Sequence, residues 1–126
     1  MTLAPGVAAQ FRHVVSDADT AIALGSGDVP VLATPRVLAL AERATCLAVA
    51  STMPAGQTTV GSRVVLTHRS PTAVGQVVDV EATLVSIDGI RLTFEVRVVQ
   101  DGVAVAEGTV IRVLVDRDEF LDRLGG

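Results

Sequence analysis

Aromatic residues and lysine are scarce or absent in this sequence. Its 126 residues include three Phe, no Trp and no Tyr, and all ten basic residues are Arg. Proteins that bind single-stranded nucleic acid stack bases on aromatic rings and contact phosphates through clustered positive charge. With few rings and a net charge of −4, the sequence predicts a protein that binds no nucleic acid.

Cysteine, histidine and long apolar runs are also scarce. The lone Cys46 excludes an intramolecular disulfide and is typical of a reducing compartment. One Cys and two His are too few for a Cys/His metal cluster. The longest apolar run, residues 37–50, is broken by Glu42 and Arg43, and the N-terminus has no basic segment typical of a signal peptide. We therefore expect one cytoplasmic domain, residues 1–126, with no membrane span and no metal.

Ala, Val and Leu are abundant, and they follow first a helical period and then a period of two. Pro35 suits the first helical position, with Thr34 as N-cap, and good helix formers continue to about Ser51. Residues 53–56, Met-Pro-Ala-Gly, end the helix. Few polar residues interrupt its surface, so we expect it to be buried on more than one side.

After the helix, apolar and polar residues alternate as in strands with one wet face. Residues 91–99 have apolar even positions and mostly polar odd positions, and residues 77–87 alternate similarly. Two Asp-Gly pairs, at 88–89 and 101–102, are typical of tight hairpin turns. The predicted strands are residues 8–15, 58–69, 77–87, 91–99 and 103–115. Residues 16–30 are predicted to be mostly loop, and a short helix to begin at Asp116, with Glu119 in a capping box.

This order of elements predicts an α+β fold. A curved antiparallel sheet wrapped around one long central helix would bury that helix economically. Such an arrangement is the hot-dog fold.

Three polar residues lie where this core should be apolar. Thr34 opens the helix and Glu42 lies in its apolar stretch. His68 ends a strand on the parity of Val60 and Val64. A hydroxyl, a carboxylate and an imidazole are groups that acyl transfer uses. Each also has a structural explanation: a helix cap for Thr34, solvent contact or an Arg partner for Glu42, and a hydrogen-bonded core position for His68.

Two geometric expectations follow from these positions. Arg112 shares the parity of Ala106 and Val110, so we expect it to point inward and to meet an anion or a carboxylate. Thr34 and Glu42 are eight residues apart, which is roughly 12 Å along a regular helix. Direct contact therefore requires an irregular helix start or a site shared by two subunits, and we favour the shared site.

Four short segments resemble the fluoroacetyl-CoA thioesterase-like family of the hot-dog superfamily, and together they span about residues 31–120. They are ATPRVLALAE with Thr34 and Glu42, GSRVVLTH with Gly61 and His68, EGTVIR with Arg112, and the closing segment DRDEFLDRL.

The resemblance implies hydrolysis of an acyl-CoA thioester, with CoA as part of the substrate and no separate cofactor. It implies a catalytic set of Thr34, Glu42 and His68. Gly61, lining the acyl pocket, and Arg112 would bind substrate. It also implies a homodimer with active sites at the subunit interface. Glu42 would activate water or attack the carbonyl itself, His68 would orient the nucleophile and carry the proton, and backbone N–H groups near the helix start would stabilise the oxyanion.

One segment departs from the family pattern. Thirteen residues separate Thr20 from Thr34 and none is aromatic, whereas the fluoroacetyl-specialised members have a longer, Phe-bearing lid there. We therefore expect a small acyl group but no specificity for fluoroacetyl-CoA. Two alternatives stay open. One is a hot-dog acyl-CoA hydratase or dehydratase, although Asp17 and Asp19 have no His beside them in sequence. The other is a non-catalytic acyl-CoA-binding module.

Overall fold

The computed structural model describes residues 2–125 and consists of five strands, three α-helices and two 3₁₀ turns. The first part contains β1 (Ala8–Val14), a 3₁₀ turn (Asp17–Asp19), α1 (Ala21–Leu24), α2 (Thr34–Val49) and a second 3₁₀ turn (Ala50–Thr52). The second part contains β2 (Gln57–His68), β3 (Val77–Asp88), β4 (Arg91–Gln100), β5 (Val103–Asp116) and α3 (Arg117–Asp122). The predicted strand bounds agree with these to within one residue at each end.

All five strands form one antiparallel sheet in the order β1-β3-β4-β5-β2. Helix α2 packs on one face of this sheet through an apolar stripe that includes Val37, Leu40, Ala44 and Ala48. The predicted α+β architecture, one antiparallel sheet with one long helix, is confirmed. Within residues 2–125, no helix is both long enough and apolar enough to cross a membrane.

Strands β3 and β4 bury alternate residues, as the period of two predicts. On β4, Leu92, Phe94 and Val96 are buried, while the side chains between them reach the outer face. The turn from β4 to β5 has positive φ at both central residues, 51° at Asp101 and 78° at Gly102. This backbone is the one that a tight hairpin turn requires and that the Asp-Gly pair predicts.

A β-bulge at Ser62 changes the facing of β2. Gly61 pairs with Arg112, but the next paired residue is Arg63, so the strand contains one extra residue at this point. After the bulge, Val64 and His68 share a face with Gly61, not with Val60. The predicted parity of Val60 with His68 is therefore wrong, because alternation holds only within each half of the strand.

The entry to α2 also differs from the prediction. The N-cap residue is Ala33, whose side chain makes no capping hydrogen bond, and Thr34 is already helical. The predicted N-cap at Thr34 is wrong because its hydroxyl bonds a residue outside the helix. Residues 16–30 are less irregular than predicted, since a 3₁₀ turn and α1 occupy part of them. The local hydrogen bonds of Ser16 and Thr20 start these two turns.

The side of α2 that faces away from the sheet is open in this chain. Ala39, Arg43, Cys46 and Leu47 are exposed there, and Leu47 retains 44% of its accessible surface. Burial on more than one side is thus not found within a single chain. The apolar surface that predicts it exists, but the five strands cover only the opposite side.

Candidate active site

Thr34 and His68 form a hydrogen-bonded pair. Thr34 is the first residue of α2, and His68 is the last residue of β2. The Thr34 Oγ1 atom lies 2.8 Å from Nδ1 of His68. Thr34 is exposed and the ring of His68 is half-buried, so the pair lies at the surface of the core. The start of the helix and the end of the strand meet here although Thr34 and His68 are 34 positions apart in sequence.

The environment of the His68 ring favours its neutral form. Burial lowers the pKa of His68, and the backbone of Ser70 opposes this shift only in part. The other ring nitrogen, Nε2, is buried and has no hydrogen-bond partner among the described residues. A neutral imidazole has one nitrogen free to accept a proton, so His68 can act as a base near neutral pH.

Glu42, Arg112 and Gly61 form a second group. Arg112 NH1 donates to Oε2 of Glu42 over 2.9 Å, and the Arg112 side chain is only 8% exposed. Nε and NH2 of Arg112 donate to the hydroxyl and the carbonyl oxygen of Thr59, at 2.8 and 3.1 Å. Arg112 therefore points inward and meets a carboxylate, as its parity predicts.

Gly61 leaves the space that the Glu42 carboxylate occupies. A Cβ atom at position 61 would overlap Oε2 of Glu42 and would touch NH1 of Arg112. Among the described residues, no hydrogen bond reaches Oε1 of Glu42, and the side chain is 32% exposed. One carboxylate oxygen is thus fixed by Arg112, while the other is available to solvent or a ligand.

Thr59 is a member of this group that the sequence did not reveal. It is buried, and it supplies two of the three acceptors that hold Arg112. In sequence it is one of two adjacent Thr residues at the start of a strand, with nothing to mark it. Its position two residues before Gly61 is the only available signal, because residues i and i+2 of a strand share a face.

The two groups stay separate within one chain. Thr34 and Glu42 lie in the same regular helix, eight residues apart, which corresponds to about 12 Å. No hydrogen bond among the described residues joins the Thr34–His68 pair to Glu42, Arg112 or Gly61. The chain alone therefore brings the five predicted site residues into two groups and does not join them.

A cleft of about 340 Å³ opens beside the first group. Its lining comes from two segments, one within residues 21–34 and one at residues 68–71. Thr34 and His68 line it, and Glu42 does not. A hydroxyl and an imidazole beside an open cleft can orient or deprotonate an attacking group.

Comparisons with known proteins place this fold in a class. The solved structure of the fluoroacetyl-CoA thioesterase FlK matches with a TM-score of 0.90 at 25% identity, over 98% of this chain and 96% of that one. A single-residue mutant of FlK in complex with fluoroacetate and CoA matches with a TM-score of 0.85 at 27% identity, over 94% and 99%. A thioesterase superfamily member from Thermus thermophilus matches with a TM-score of 0.87 at 23% identity, over 97% and 93%, which shows the shared fold.

These matches define the chain as a hot-dog thioesterase, an enzyme that hydrolyses thioesters. The sequence model of the fluoroacetyl-CoA-specific thioesterase family, FlK, matches residues 15–118. The chain belongs to this family. A search among curated proteins found no match.

Proposed function

We propose that this enzyme hydrolyses a small acyl-CoA thioester to the free acid and CoA, with Thr34, Glu42 and His68 as catalytic residues. The observation that carries this proposal is the hydrogen bond between Thr34 and Nδ1 of His68 at the lining of the cleft. Family membership supplies the reaction class. The open oxygen of Glu42 supplies a second reactive group.

In the proposed reaction, the bond between the acyl carbon and sulfur breaks, and water provides the new hydroxyl of the acid and the proton of the CoA thiol. Glu42 either removes a proton from the attacking water or attacks the carbonyl through Oε1 to form a mixed anhydride that water then hydrolyses. His68, neutral before the attack, receives the proton that water releases, directly or by way of Glu42, and passes it to the thiolate of CoA. Backbone N–H groups in the first turn of α2 stabilise the oxyanion, with Pro35 excluded because it has none.

Hydroxylamine distinguishes the two roles of Glu42. A mixed anhydride at Glu42 reacts with hydroxylamine during turnover to give a hydroxamate on that side chain, which peptide mass spectrometry detects. A carboxylate that acts only as a base stays unmodified under the same conditions.

Gly61 and Arg112 are proposed to bind substrate. Arg112 holds the Glu42 carboxylate through one oxygen, so the other oxygen keeps a fixed direction toward the substrate. Gly61 leaves room for that carboxylate, and the acyl group would lie beside Gly61 and Glu42. Neither role needs a cofactor, and CoA enters only as part of the substrate.

We propose that the working enzyme is a homodimer in which Thr34 and His68 of one subunit face Glu42 of the other. Two observations support this arrangement. The two groups are roughly 12 Å apart along one helix, and the side of α2 that carries Ala39, Cys46 and Leu47 is exposed. A second copy packed on this side would bury it and bring the two groups together.

Mixing two inactive variants tests the shared site. Thr34→Ala and Glu42→Ala homodimers each lack one group at both sites, whereas a mixed dimer would have one complete site. Random mixing makes half of the dimers mixed, so about a quarter of wild-type activity should return. Mixed dimers that form but show no recovery would contradict the shared site and would place the catalytic set within one chain.

Substrate preference is proposed to be for small acyl groups without specialisation for fluoroacetyl-CoA. The cleft wall contributed by residues 21–34 contains no aromatic side chain, and its exposed apolar residue is Val29. The proposed location is the cytoplasm, where the lone thiol of Cys46 would stay reduced.

Release of free thiol from a panel of acyl-CoAs tests the function and separates its alternatives. A thioesterase frees CoA, a hydratase or dehydratase changes the acyl chain without freeing thiol, and a binding module does neither. The structure does pair Asp19 with a histidine, His13, at 2.8 Å. This pair does not line the cleft and its carboxylate is already bound by Arg36, so it gives a hydratase no accessible acid–base pair.

A further inference from the structure

A buried carboxylate outside the candidate site connects β1 to the start of α2. Oδ2 of Asp19 accepts hydrogen bonds from the backbone N–H of Ser16 and from Nε2 of His13, both at 2.8 Å, and from the Ser16 hydroxyl at 3.2 Å. Oδ1 accepts from Nε of Arg36 at 2.7 Å. The side chain of Asp19 is 6% exposed. We refer to His13, Asp19 and Arg36 as the Asp19 cluster.

Asp19 contacts residues that precede and follow Thr34 in the sequence. Its carbonyl oxygen accepts from the N–H of Ala33 at 2.9 Å, and its carboxylate binds Arg36. Ala33 immediately precedes Thr34, and Arg36 follows it by two residues. No side chain caps α2, and Asp19 anchors the helix start through one bond to the backbone of Ala33 and one to the side chain of Arg36.

The charge of Asp19 also suits this position. Burial by itself would raise the pKa of Asp19, but the hydrogen bonds from Ser16, His13 and Arg36 outweigh it and hold the pKa well below its usual range. Asp19 is therefore ionised near neutral pH. A cation in the first turn of a helix is unfavourable, whereas an anion there is favourable. Asp19 thus neutralises Arg36 where the helix would otherwise repel it.

The residues just before Thr34 are also held by the loop that follows β2. Leu32 N–H donates to the carbonyl oxygen of buried Thr72 at 2.9 Å, and Val31 forms a bridge with Ala73. That loop follows directly from His68. The distance between the Thr34 hydroxyl and His68 therefore depends on two anchors, the Asp19 cluster on one side and the loop at residues 72–73 on the other.

We propose that the Asp19 cluster is a positioning device that holds the Thr34 hydroxyl on Nδ1 of His68. The inference rests on the proposed catalytic role of that pair. Asp19, His13 and Arg36 do not line the cleft. They act by fixing the first turn of α2, and a purely structural cluster would stabilise the fold without affecting the pair.

Kinetics of Asp19→Asn give the first test, with Asp79→Asn as the matched control. Asp79 also pairs with an arginine, Arg12, and also sits beside β1, but it lies on the exposed side of the sheet. Misplacing a reacting group by a fraction of an ångström lowers the rate of the chemical step, so kcat should fall roughly tenfold or more for Asp19→Asn while KM changes little. Asp79→Asn should keep both values. Arg36→Gln should show a smaller fall in kcat, also with little change in KM. It replaces Asp19→Asn as the test variant if Asp19→Asn does not fold.

Imidazole NMR gives a readout that is independent of activity. The chain has two His residues, so ¹⁵N-histidine labelling yields two pairs of ring signals, Nδ1 and Nε2 of each ring, and His13→Gln shows which pair belongs to His68. Asp19→Asn or Arg36→Gln should shift the His68 Nδ1 signal toward its value in Thr34→Val, and Asp79→Asn should not. A lowered Tm with unchanged kcat and an unchanged His68 signal would overturn the proposal. If Thr34→Val itself keeps wild-type kcat, the proposed role of Thr34 fails, whereas a shifted His68 signal would still establish the positioning.

Discussion

The two halves of the candidate site are held in different ways. Thr34 and His68 are joined by one hydrogen bond, at the surface, on a ring whose pKa burial lowers. Glu42 is bound by Arg112, which is nearly buried and makes two further hydrogen bonds to Thr59. The first half is suited to exchange a proton, since a neutral ring can gain one. The second half is suited to keep a charged group in place, and changes to the two halves should therefore have different consequences.

The largest effect is expected at Glu42. Glu42→Gln keeps an oxygen that can accept the hydrogen bond from buried Arg112, but it removes the negative charge needed for base or nucleophile chemistry. Its kcat for CoA release should fall at least about a hundredfold, and its Tm should fall because Arg112 loses its negatively charged partner. Glu95→Gln, on an exposed position of β4, is the control. Wild-type turnover by folded Glu42→Gln would remove Glu42 from the mechanism.

A smaller loss is expected at Thr34. Thr34→Val keeps the shape of the side chain but gives Nδ1 of His68 no partner, so kcat should fall by roughly ten- to a hundredfold. Thr34→Ser keeps the hydroxyl and should retain most of the activity. Steady-state thiol release compares the two variants. Equal rates of thiol release by Thr34→Val and Thr34→Ser would mean that the hydroxyl of Thr34 does not contribute to catalysis.

A smaller effect again is expected at Gly61. The methyl group of Gly61→Ala would overlap the Glu42 carboxylate and displace it, so we expect roughly a tenfold loss of kcat/KM with the fold retained. Gly125→Ala adds the same methyl group where only ordinary contacts exist. If both variants hydrolyse acyl-CoA at the wild-type rate, the close packing of Gly61 against Glu42 is not needed for activity.

The smallest effect is a displaced pH profile. Because burial lowers the pKa of His68, the ring stays neutral to a lower pH than a free histidine, whose pKa is about 6.5. The acid limb of kcat/KM should therefore have its midpoint below about pH 6.5, with full activity above it. Because the unfolded chain binds this proton more readily than the folded protein, the lowered pKa of His68 also makes the folded state lose stability as pH falls below about 6.5. A midpoint at or above that of free histidine would show that a different group controls the limb.

Much of the fold could be predicted from the sequence because turn residues and the alternation of apolar and polar residues act between near neighbours in the chain. The Asp-Gly pairs and the alternation of β3 and β4 predict consecutive hairpins, which the structure confirms. The errors have physical causes. The bulge at Ser62 has no signature in alternation, and the hydroxyl of Thr34 bonds His68 in place of the helix end, so neither was predictable from neighbours alone.

The geometry of the candidate site was predicted in part. Arg112 was expected to meet a carboxylate, and the structure identifies the partner as Glu42. The contribution of Thr59, and the pairing of His13 with Asp19, depend on contacts between residues distant in sequence. Periodicity assigns a face to a residue but does not identify the residue that faces it.

The sequence by itself determined the α+β architecture and the family, because these depend on local periodicity and short segments. Only the tertiary structure decided how the candidate site residues group. It joined Thr34 to His68 and Glu42 to Arg112, and it kept the two pairs apart along α2. The reason is geometric: Thr34 and Glu42 are eight positions apart in a regular helix, and β2 brings His68 to the start of that helix whereas β5 brings Arg112 to its middle.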